Sequence, residues 1–197
     1  MIAYYEKVFD VLMKSIESIP VEEYEKLVSE CVEVLKNGGK IIASGLGKNV
    51  PICEKFVGTL NSLGIDARFL HTNTAVHGDL GMVGKNDLVI LLSKGGNTYE
   101  TVALAEHLRD RGTTTWLMTF YKKCKGAEVV ENRLIMSLEN EGDEWDIVPN
   151  NSTTVYLIVL QGIAIEIGKR LGVTLDDFRV NHPGGGIGAK LNGKDLW

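Results

Sequence analysis

The chain has 197 residues, of which 44% are hydrophobic, and its 21 basic and 26 acidic side chains give a net charge of −5. This length suits one sizeable hydrophobic core, and the absence of a Lys/Arg run argues against sequence-independent nucleic-acid binding. The apolar stretches are too short to span a membrane, and the N-terminus lacks the basic start and apolar stretch of a signal peptide.

Two helices are predicted at the start of the chain, over residues 4–18 and 21–36. Pro20 suits the first turn of the second helix, and Asn37-Gly38 suits its end. Within that helix, apolar side chains recur at helical spacing: Tyr24, Leu27, Val28, Cys31 and Leu35.

Short apolar runs then alternate with helical ones. Runs such as Leu88–Leu92 are apolar on both faces, as strands buried in a parallel sheet are. The pattern predicts an α/β fold, a three-layer α-β-α sandwich with a five-stranded parallel sheet, in a single domain over residues 1–197. The predicted strands are Lys40–Ala43, Ala67–His71, Leu88–Leu92, Thr114–Thr119 and Arg133–Ser137. The predicted helices between and after them lie near residues 50–62, 98–111, 122–129 and 152–171.

Three cysteines, Cys31, Cys53 and Cys124, are widely spaced and form no C-x-x-C motif. This pattern favours buried, reduced thiols over a disulfide or a metal site. Without a secretion signal, it indicates a cytoplasmic protein.

Ligands of doubly wound sheets bind beyond the carboxyl ends of the strands, so the loops after residues 43, 71, 92 and 137 are of interest. The first loop reads SGLGKN over residues 44–49. It is not a Walker A loop, because Asn49 follows Lys48 and no glycine stands five residues before Gly47. It also departs from the dinucleotide fingerprint, since Val50 replaces the third glycine.

A second loop of the same design, SKGGNT over residues 93–98, again opens a helix. A single such loop would be explained by a tight turn with an incidental surface lysine. Two adjacent helix N-termini fronted by glycine and small polar side chains instead favour a phosphate site. The predicted phosphate-binding residues are Gly47, Asn49, Ser93, Gly95, Asn97 and Thr98.

With these motifs in order, the chain resembles the sugar isomerase (SIS) domain, and within it the D-arabinose 5-phosphate isomerases. The matching stretches cover nearly the whole chain: SGLGKN (44–49), HGDLGM (77–82), SKGGNTYE (93–100), PNNSTT (149–154) and DFRVNHPGG (177–185). The resemblance implies catalytic roles for Lys48, Glu100, Glu141 and His182. It also implies substrate contacts from His77, Ser152 and Thr153.

Three segments depart from the family pattern. Asn49 stands where the family usually has Ser, and Gly95-Gly96-Asn97 stands where it usually reads Ser-Gly-Glu. The acidic segment Asn140–Val148 stands where relatives often carry a Cys-Pro-Leu-Gly stretch. Many relatives continue into a pair of CBS domains, and since this chain stops at Trp197, we expect that module to be absent.

Each implied catalytic residue also has a purely structural interpretation. Glu100, in the first turn of a helix, is typical of a surface charge that complements the helix dipole. Glu141 stands among five acids between residues 139 and 146, as in a solvated loop, and His182 precedes a Pro-Gly turn. His71, His77 and Asp79 have a spacing compatible with metal ligands, but the chemistry requires no metal, so we expect none and no cofactor.

The resemblance therefore implies an aldose–ketose isomerase acting on D-ribulose 5-phosphate and D-arabinose 5-phosphate through an enediol. Glu141 is a candidate base, and His182 a candidate for ring opening and proton shuttling. Lys48 would stabilise the enediolate or the phosphate, and Glu100 would orient Lys48 or exchange roles with Glu141. Relatives form homotetramers and build each site partly from a neighbour, with the His182 region as a contributor.

Three alternatives remain open from the sequence. The first is 6-phospho-3-hexuloisomerase activity, which the HGDLG and HPGG stretches disfavour. The second is a phosphosugar-binding regulator, which the four retained catalytic residues and the lack of a basic segment in residues 1–36 disfavour. The third, a non-catalytic structural dimer module, would not need these charges.

Overall fold

The computed structural model describes residues 2–193; residue 1 and residues 194–197, which the single-domain prediction includes, lie outside the described residues. A five-stranded parallel sheet has the order β2-β1-β3-β4-β5. Its strands are β1 (Ile41–Gly45), β2 (Ala67–His71), β3 (Leu88–Leu92), β4 (Thr114–Thr119) and β5 (Asn132–Ile135). The helices are α1 (Ile2–Glu17), α2 (Val21–Lys36), α3 (Asn49–Ser62), α4 (Tyr99–Asp110), α5 (Lys125–Val129), α6 (Asn151–Leu171), α7 (Leu175–Val180) and α8 (Gly185–Leu191).

The sheet is covered on both faces, which confirms the predicted α/β class and its parallel sheet. Leu88, Ile90 and Leu92 of β3 face the core formed with α1, α2, α3 and α6. Val89 and Leu91 face the second core, formed with α4 and the segment after β2. The five-residue apolar run of β3 is thus explained by burial on alternate sides.

The strand order places two glycine loops side by side. From β1 the chain moves outward to β2 and then returns to β3 on the other side of β1. The direction of winding therefore reverses between β1 and β3, and the crevice at their carboxyl ends is where such folds bind ligands.

Element boundaries differ from the predictions in a few places. β1 continues to Gly45 rather than ending at residue 43, and the buried Ser44 hydroxyl pairs with that of Thr72 at 2.9 Å. β5 ends at Ile135, two residues before the predicted end. Pro20 occupies the N-cap position of α2 rather than its first turn.

The predicted helix over residues 122–129 begins only at Lys125, because the residue before it is extended. Two short 3-10 segments, 75–77 and 79–82, and the helices α7 and α8 were not predicted. All four are too short to show a hydrophobic period. α7 is instead stabilised by a capping box between Thr174 and Asp177.

Cys31, Cys53 and Cys124 are buried and unpaired, as predicted. His107 is exposed on α4. Among the described residues, no helix combines the length and the apolar character needed to cross a membrane.

Candidate active site

The two glycine loops between β1 and α3 and between β3 and α4 form the framework of the site. At their tips, Gly47 has a φ of 59° and Gly96 a φ of 65°, a region that favours glycine. A Cβ at Gly96 would also collide with the sulfur of Cys124. The sequence of the second loop is therefore fixed at this point by backbone geometry and by packing.

Side chains hold the loops together. The Asn49 side-chain amide donates a hydrogen bond to the Leu92 carbonyl (3.2 Å), and so links the start of α3 to the end of β3. The Ser93 and Thr98 hydroxyls lie 3.4 Å apart across the second loop. A pocket of about 170 Å³ lies between the loops and the start of α6. It is lined by Leu46, Lys48, Asn49, Leu92, Ser93, Lys94, Gly95, Thr98, Thr101, Pro149 and Ser152.

Glu141 is fully buried beside this pocket, so its interpretation as part of a solvated loop is wrong. One carboxylate oxygen accepts the backbone N–H groups of Asn150 (3.1 Å) and Ser152 (2.9 Å), and the other accepts the Ser152 hydroxyl (2.7 Å). The Lys94 ammonium lies 2.7 Å from the second oxygen. Glu141 thereby satisfies N–H groups at the start of α6, where no intrahelical partner exists.

The charge of Glu141 is maintained by these contacts. Burial by itself would raise the pKa of the carboxyl, but the ammonium of Lys94 and the hydrogen bonds from Ser152 and Asn150 outweigh burial. Together they hold the pKa below its ordinary value of 4.5. The site therefore contains a buried, ionised carboxylate at neutral pH.

The acidic run around Glu141 is a folded loop rather than a solvated one. The Asp146 carboxylate accepts the Glu141 backbone N–H (2.6 Å), and Asp146 itself has a φ of 56°. The Asp143 carboxylate accepts the backbone N–H groups of Trp145, Ile147 and Val148. The acids of this run thus organise the backbone that positions Glu141.

Lys48 and Glu100 lie at the edges of the site. Lys48 is exposed and lines the pocket, whereas Glu100 is half-buried in the first turn of α4 and outside the pocket lining. Within residues 2–193, no ion pair joins the two side chains. The expectation that Glu100 orients Lys48 therefore has no counterpart in this arrangement.

Four other predicted contacts lie outside the pocket lining. The Asn97 side-chain amide oxygen accepts the Lys125 N–H (2.9 Å) and so caps α5, and the Thr153 hydroxyl donates to the Asn150 backbone carbonyl (2.9 Å). His77 is exposed in a 3-10 segment, and Gly47 is exposed at its loop tip. Across residues 2–193, no group of three or more His, Cys, Asp or Glu side chains is arranged to hold a metal ion.

His182 lies far from the pocket of its own chain. Its Nε2 is 3.0 Å from the Ser62 hydroxyl, its Nδ1 is 2.7 Å from the Phe178 carbonyl, and its ring stacks on that of Phe178. Ser62 ends α3, whereas Asn49, at the pocket, begins it. Since α3 has 14 residues, its ends are about 20 Å apart.

Two pocket residues with polar side chains, Lys94 and Thr101, were not identified from the sequence. Lys94 stands inside the predicted phosphate loop, but the pattern does not indicate where a side chain between Ser93 and Gly95 points. Thr101, in the first turn of α4, has a buried hydroxyl that lacks a hydrogen-bond partner among the described residues. The position of Thr101 within the helical pattern is typical of a core residue, so nothing in the sequence identified it as a pocket residue.

Comparisons with known proteins found a matching family model and similar solved structures. The SIS domain family model matches residues 34–164. The arabinose 5-phosphate isomerase KdsD of Pseudomonas aeruginosa is 33% identical over 177 residues, which cover 90% of this chain and 54% of that protein. KdsD of Escherichia coli K12 is 32% identical over 161 residues, covering 82% of this chain and 49% of that protein. The chain thus spans about half the length of the curated relatives it matches.

Two solved structures are similar over nearly their whole length. An Escherichia coli CFT073 protein, solved in complex with arabinose 5-phosphate, is 31% identical with a TM-score of 0.83, covering 91% of this chain and 94% of that one. A Listeria monocytogenes protein is 27% identical with a TM-score of 0.85, covering 92% of this chain and 94% of that one.

Proposed function

We propose that this chain, which belongs to the SIS domain family, is an aldose–ketose isomerase that interconverts D-ribulose 5-phosphate and D-arabinose 5-phosphate. The observation that carries the proposal is the pocket between two glycine loops, with Lys48 at its rim and the ionised Glu141 beside it. The names of the similar proteins, which are arabinose 5-phosphate isomerases, support the choice of sugar.

The phosphate is assigned to the two glycine loops on electrostatic grounds. Three helices, α3, α4 and α6, begin at the pocket, and each N-terminus favours an anion. Glu141 already occupies the N-terminus of α6 as a built-in anion. The N-termini of α3 and α4 remain for the phosphate, with the Ser93 and Thr98 hydroxyls and Lys48 as its partners.

The reaction moves a proton between C1 and C2 of the sugar through an enediol, and it needs a base and a stabilising positive charge. Glu141 is ionised and can accept a proton; Glu100, half-buried at the start of α4, is the other carboxylate near the pocket. Ribulose 5-phosphate cannot close a furanose ring because its O5 is esterified. Ring opening, which we assign to His182, therefore concerns only the aldose.

We propose that a second copy of the chain supplies His182 within a homotetramer. The pocket of about 170 Å³ is smaller than the roughly 300–1,000 Å³ of typical small-molecule sites, so one chain encloses only part of a sugar phosphate. An unpartnered apolar stripe on α1 supports association. It comprises Ile2, Tyr5, Phe9 and Met13, which are between 53% and 74% exposed.

The proposed chemistry requires no redox cofactor, because only a proton moves between the two carbons. Three unpaired, buried thiols suit a reducing compartment. We therefore assign the activity to the cytoplasm.

The test is direct observation of turnover. The purified protein is incubated with a panel of pentose and hexose phosphates, and new isomers are identified by NMR; Lys48→Met serves as the matched inactive control. We expect ribulose 5-phosphate and arabinose 5-phosphate to interconvert, with deuterium from D₂O appearing at C1 or C2. If only 3-hexulose 6-phosphate is turned over, the protein is a 6-phospho-3-hexuloisomerase instead. Tight binding of a sugar phosphate without turnover would contradict the enzyme assignment and identify a regulator.

A further inference from the structure

Lys94 is the second lysine of the pocket, and its surroundings differ from those of Lys48. We propose that the Lys94 ammonium contacts the oxygens on C1 and C2 of the substrate and stabilises the enediolate, while Glu141 positions it. This assignment rests on the isomerase function proposed above, and it separates the roles of the two lysines.

The backbone of Lys94 is fixed to the end of β4. Its carbonyl accepts the Phe120 N–H (3.0 Å) and the Thr119 hydroxyl (2.9 Å). From this anchor the side chain reaches Glu141, with 2.7 Å between the ammonium and the carboxylate. The side chain is 35% exposed and lines the pocket, so N–H donors that do not face Glu141 can reach a ligand there.

Electrostatics decides which part of the substrate Lys94 contacts. A phosphate dianion placed against Lys94 would also lie close to the buried charge of Glu141 and be repelled by it. Lys48 has no carboxylate within ion-pair distance among the described residues and suits the dianion better. An oxygen that is neutral in the substrate and gains charge only in the transition state is compatible with the paired Lys94.

Glu141 can hold the ammonium in place because Glu141 itself is immobile. Its two oxygens accept three hydrogen bonds from Ser152 and Asn150, and the carboxylate is fully buried. Stabilising groups that are fixed before the reaction need no reorganisation as charge develops. The Lys94–Glu141 pair thus places a cation and a carboxylate side by side at the reacting end of the pocket.

The experiment compares Lys94→Met with Lys40→Met. Lys40 makes a comparable ion pair, in which its ammonium lies 2.6 Å from the buried carboxylate of Asp87. This pair lies at the amino ends of the strands, opposite the pocket. Breaking either pair leaves a buried acid without its lysine, so both variants lose stability. We expect Lys94→Met to lower kcat by about 10²–10³-fold, as for loss of a stabilising donor, with KM changed less than about threefold. Lys40→Met should retain wild-type kcat.

Two further measurements keep the result independent of folding. The affinity for inorganic phosphate and the number of phosphate sites are measured by calorimetry, and kcat is expressed per site. Lys94→Met should bind phosphate within about threefold of wild type, and Lys94→Arg, which retains the charge, should recover part of kcat. Wild-type kcat in Lys94→Met, or parallel losses of kcat and phosphate affinity, would overturn the assignment. A wild type that binds phosphate but isomerises none of the sugars would overturn the proposed function itself, and the role of Lys94 with it.

Discussion

The imidazole of His182 lies 3.0 Å from the hydroxyl of Ser62, at the end of α3 that points away from the pocket. Its ring is held on Phe178 by stacking, with 3.9 Å between the ring centroids. His182 thus lies at the far end of α3, whose two ends are about 20 Å apart, while Asn49 of the same chain is at the pocket. If His182 acts on the substrate, it acts in the site of another copy.

Mixing two inactive variants tests this shared site. Lys48→Met and His182→Asn should each be inactive alone, since each lacks one component in every site. After joint refolding or co-expression, some sites combine the intact Lys48 of one chain with the intact His182 of another. Random assembly should restore about a quarter of wild-type activity.

The control for this experiment is His107→Asn, because His107 is exposed on α4 and should not affect activity. Light scattering on the mixed sample should show an oligomer. A fully active monomer at micromolar concentration, or no recovery in verified mixed oligomers, would contradict the shared site.

A second prediction concerns proton transfer. Glu141→Gln and His182→Asn should lower kcat by about 10²–10⁴-fold, the usual contribution of a positioned acid or base. KM should change far less, because the phosphate loops are unaltered. Steady-state kinetics on folded protein provides the measurement. Near-normal turnover of both variants would leave Glu100 as the remaining carboxylate candidate.

The sheet could be predicted from the sequence because its signal is local. Every residue of β3 is apolar and buried, and its predicted bounds agree with the structure. The end of β1 was placed too early because Ser44 and Gly45 are not apolar, although both are buried strand residues. The glycines of the two loops were also predictable, because a positive φ restricts which residues can stand at those positions.

The environment of Glu141 could not be predicted, because it depends on long-range contacts. Four other acids stand between residues 139 and 146 and indicate exposure, whereas the partners of Glu141, Lys94 and Ser152, come from other segments. For His182, the resemblance implied a contribution to a neighbouring chain's site, but nothing in the sequence indicated its contacts with Ser62 and Phe178. Side-chain direction and assembly depend on the folded molecule as a whole, so neither produces a periodic pattern in the sequence.

A third prediction follows from the low pKa of Glu141. Because its folded-state pKa lies below the ordinary value of 4.5, the ionised form stabilises the fold above that pH, and this stabilisation is lost as pH falls through the folded-state pKa. Wild-type protein should therefore lose stability below about pH 4.5 more steeply than Glu141→Gln. Urea unfolding at a series of acidic pH values provides the measurement.

Glu139→Gln is the matched control for the acid experiment. Glu139 is close in sequence, but its side chain is 57% exposed in its ion pair with Lys14, and exposed pairs contribute little to stability. Its variant should keep the wild-type pH dependence. Equal slopes for wild type and Glu141→Gln would contradict a stabilising, ionised Glu141.

A fourth prediction uses two buried threonines whose hydroxyls lack a partner among the described residues, Thr101 and Thr113. Valine has the same shape without the hydroxyl, and an unpaired buried hydroxyl costs about 1–3 kcal/mol. Thr101→Val and Thr113→Val should therefore each raise the free energy of unfolding of the empty protein, by about 1 kcal/mol. Urea unfolding without phosphate measures this gain.

The two variants should differ once phosphate is added. Thr101 lines the pocket, whereas Thr113 lies just before β4, at the amino ends of the strands and away from the pocket. A phosphate between the loops can supply the missing partner of the Thr101 hydroxyl, so Thr101→Val should weaken phosphate binding by about five- to tenfold, the contribution of one hydrogen bond. Thr113→Val should bind as wild type does. Calorimetric titration with inorganic phosphate compares them, and equal affinities in all three proteins would show that the Thr101 hydroxyl does not contact the ligand.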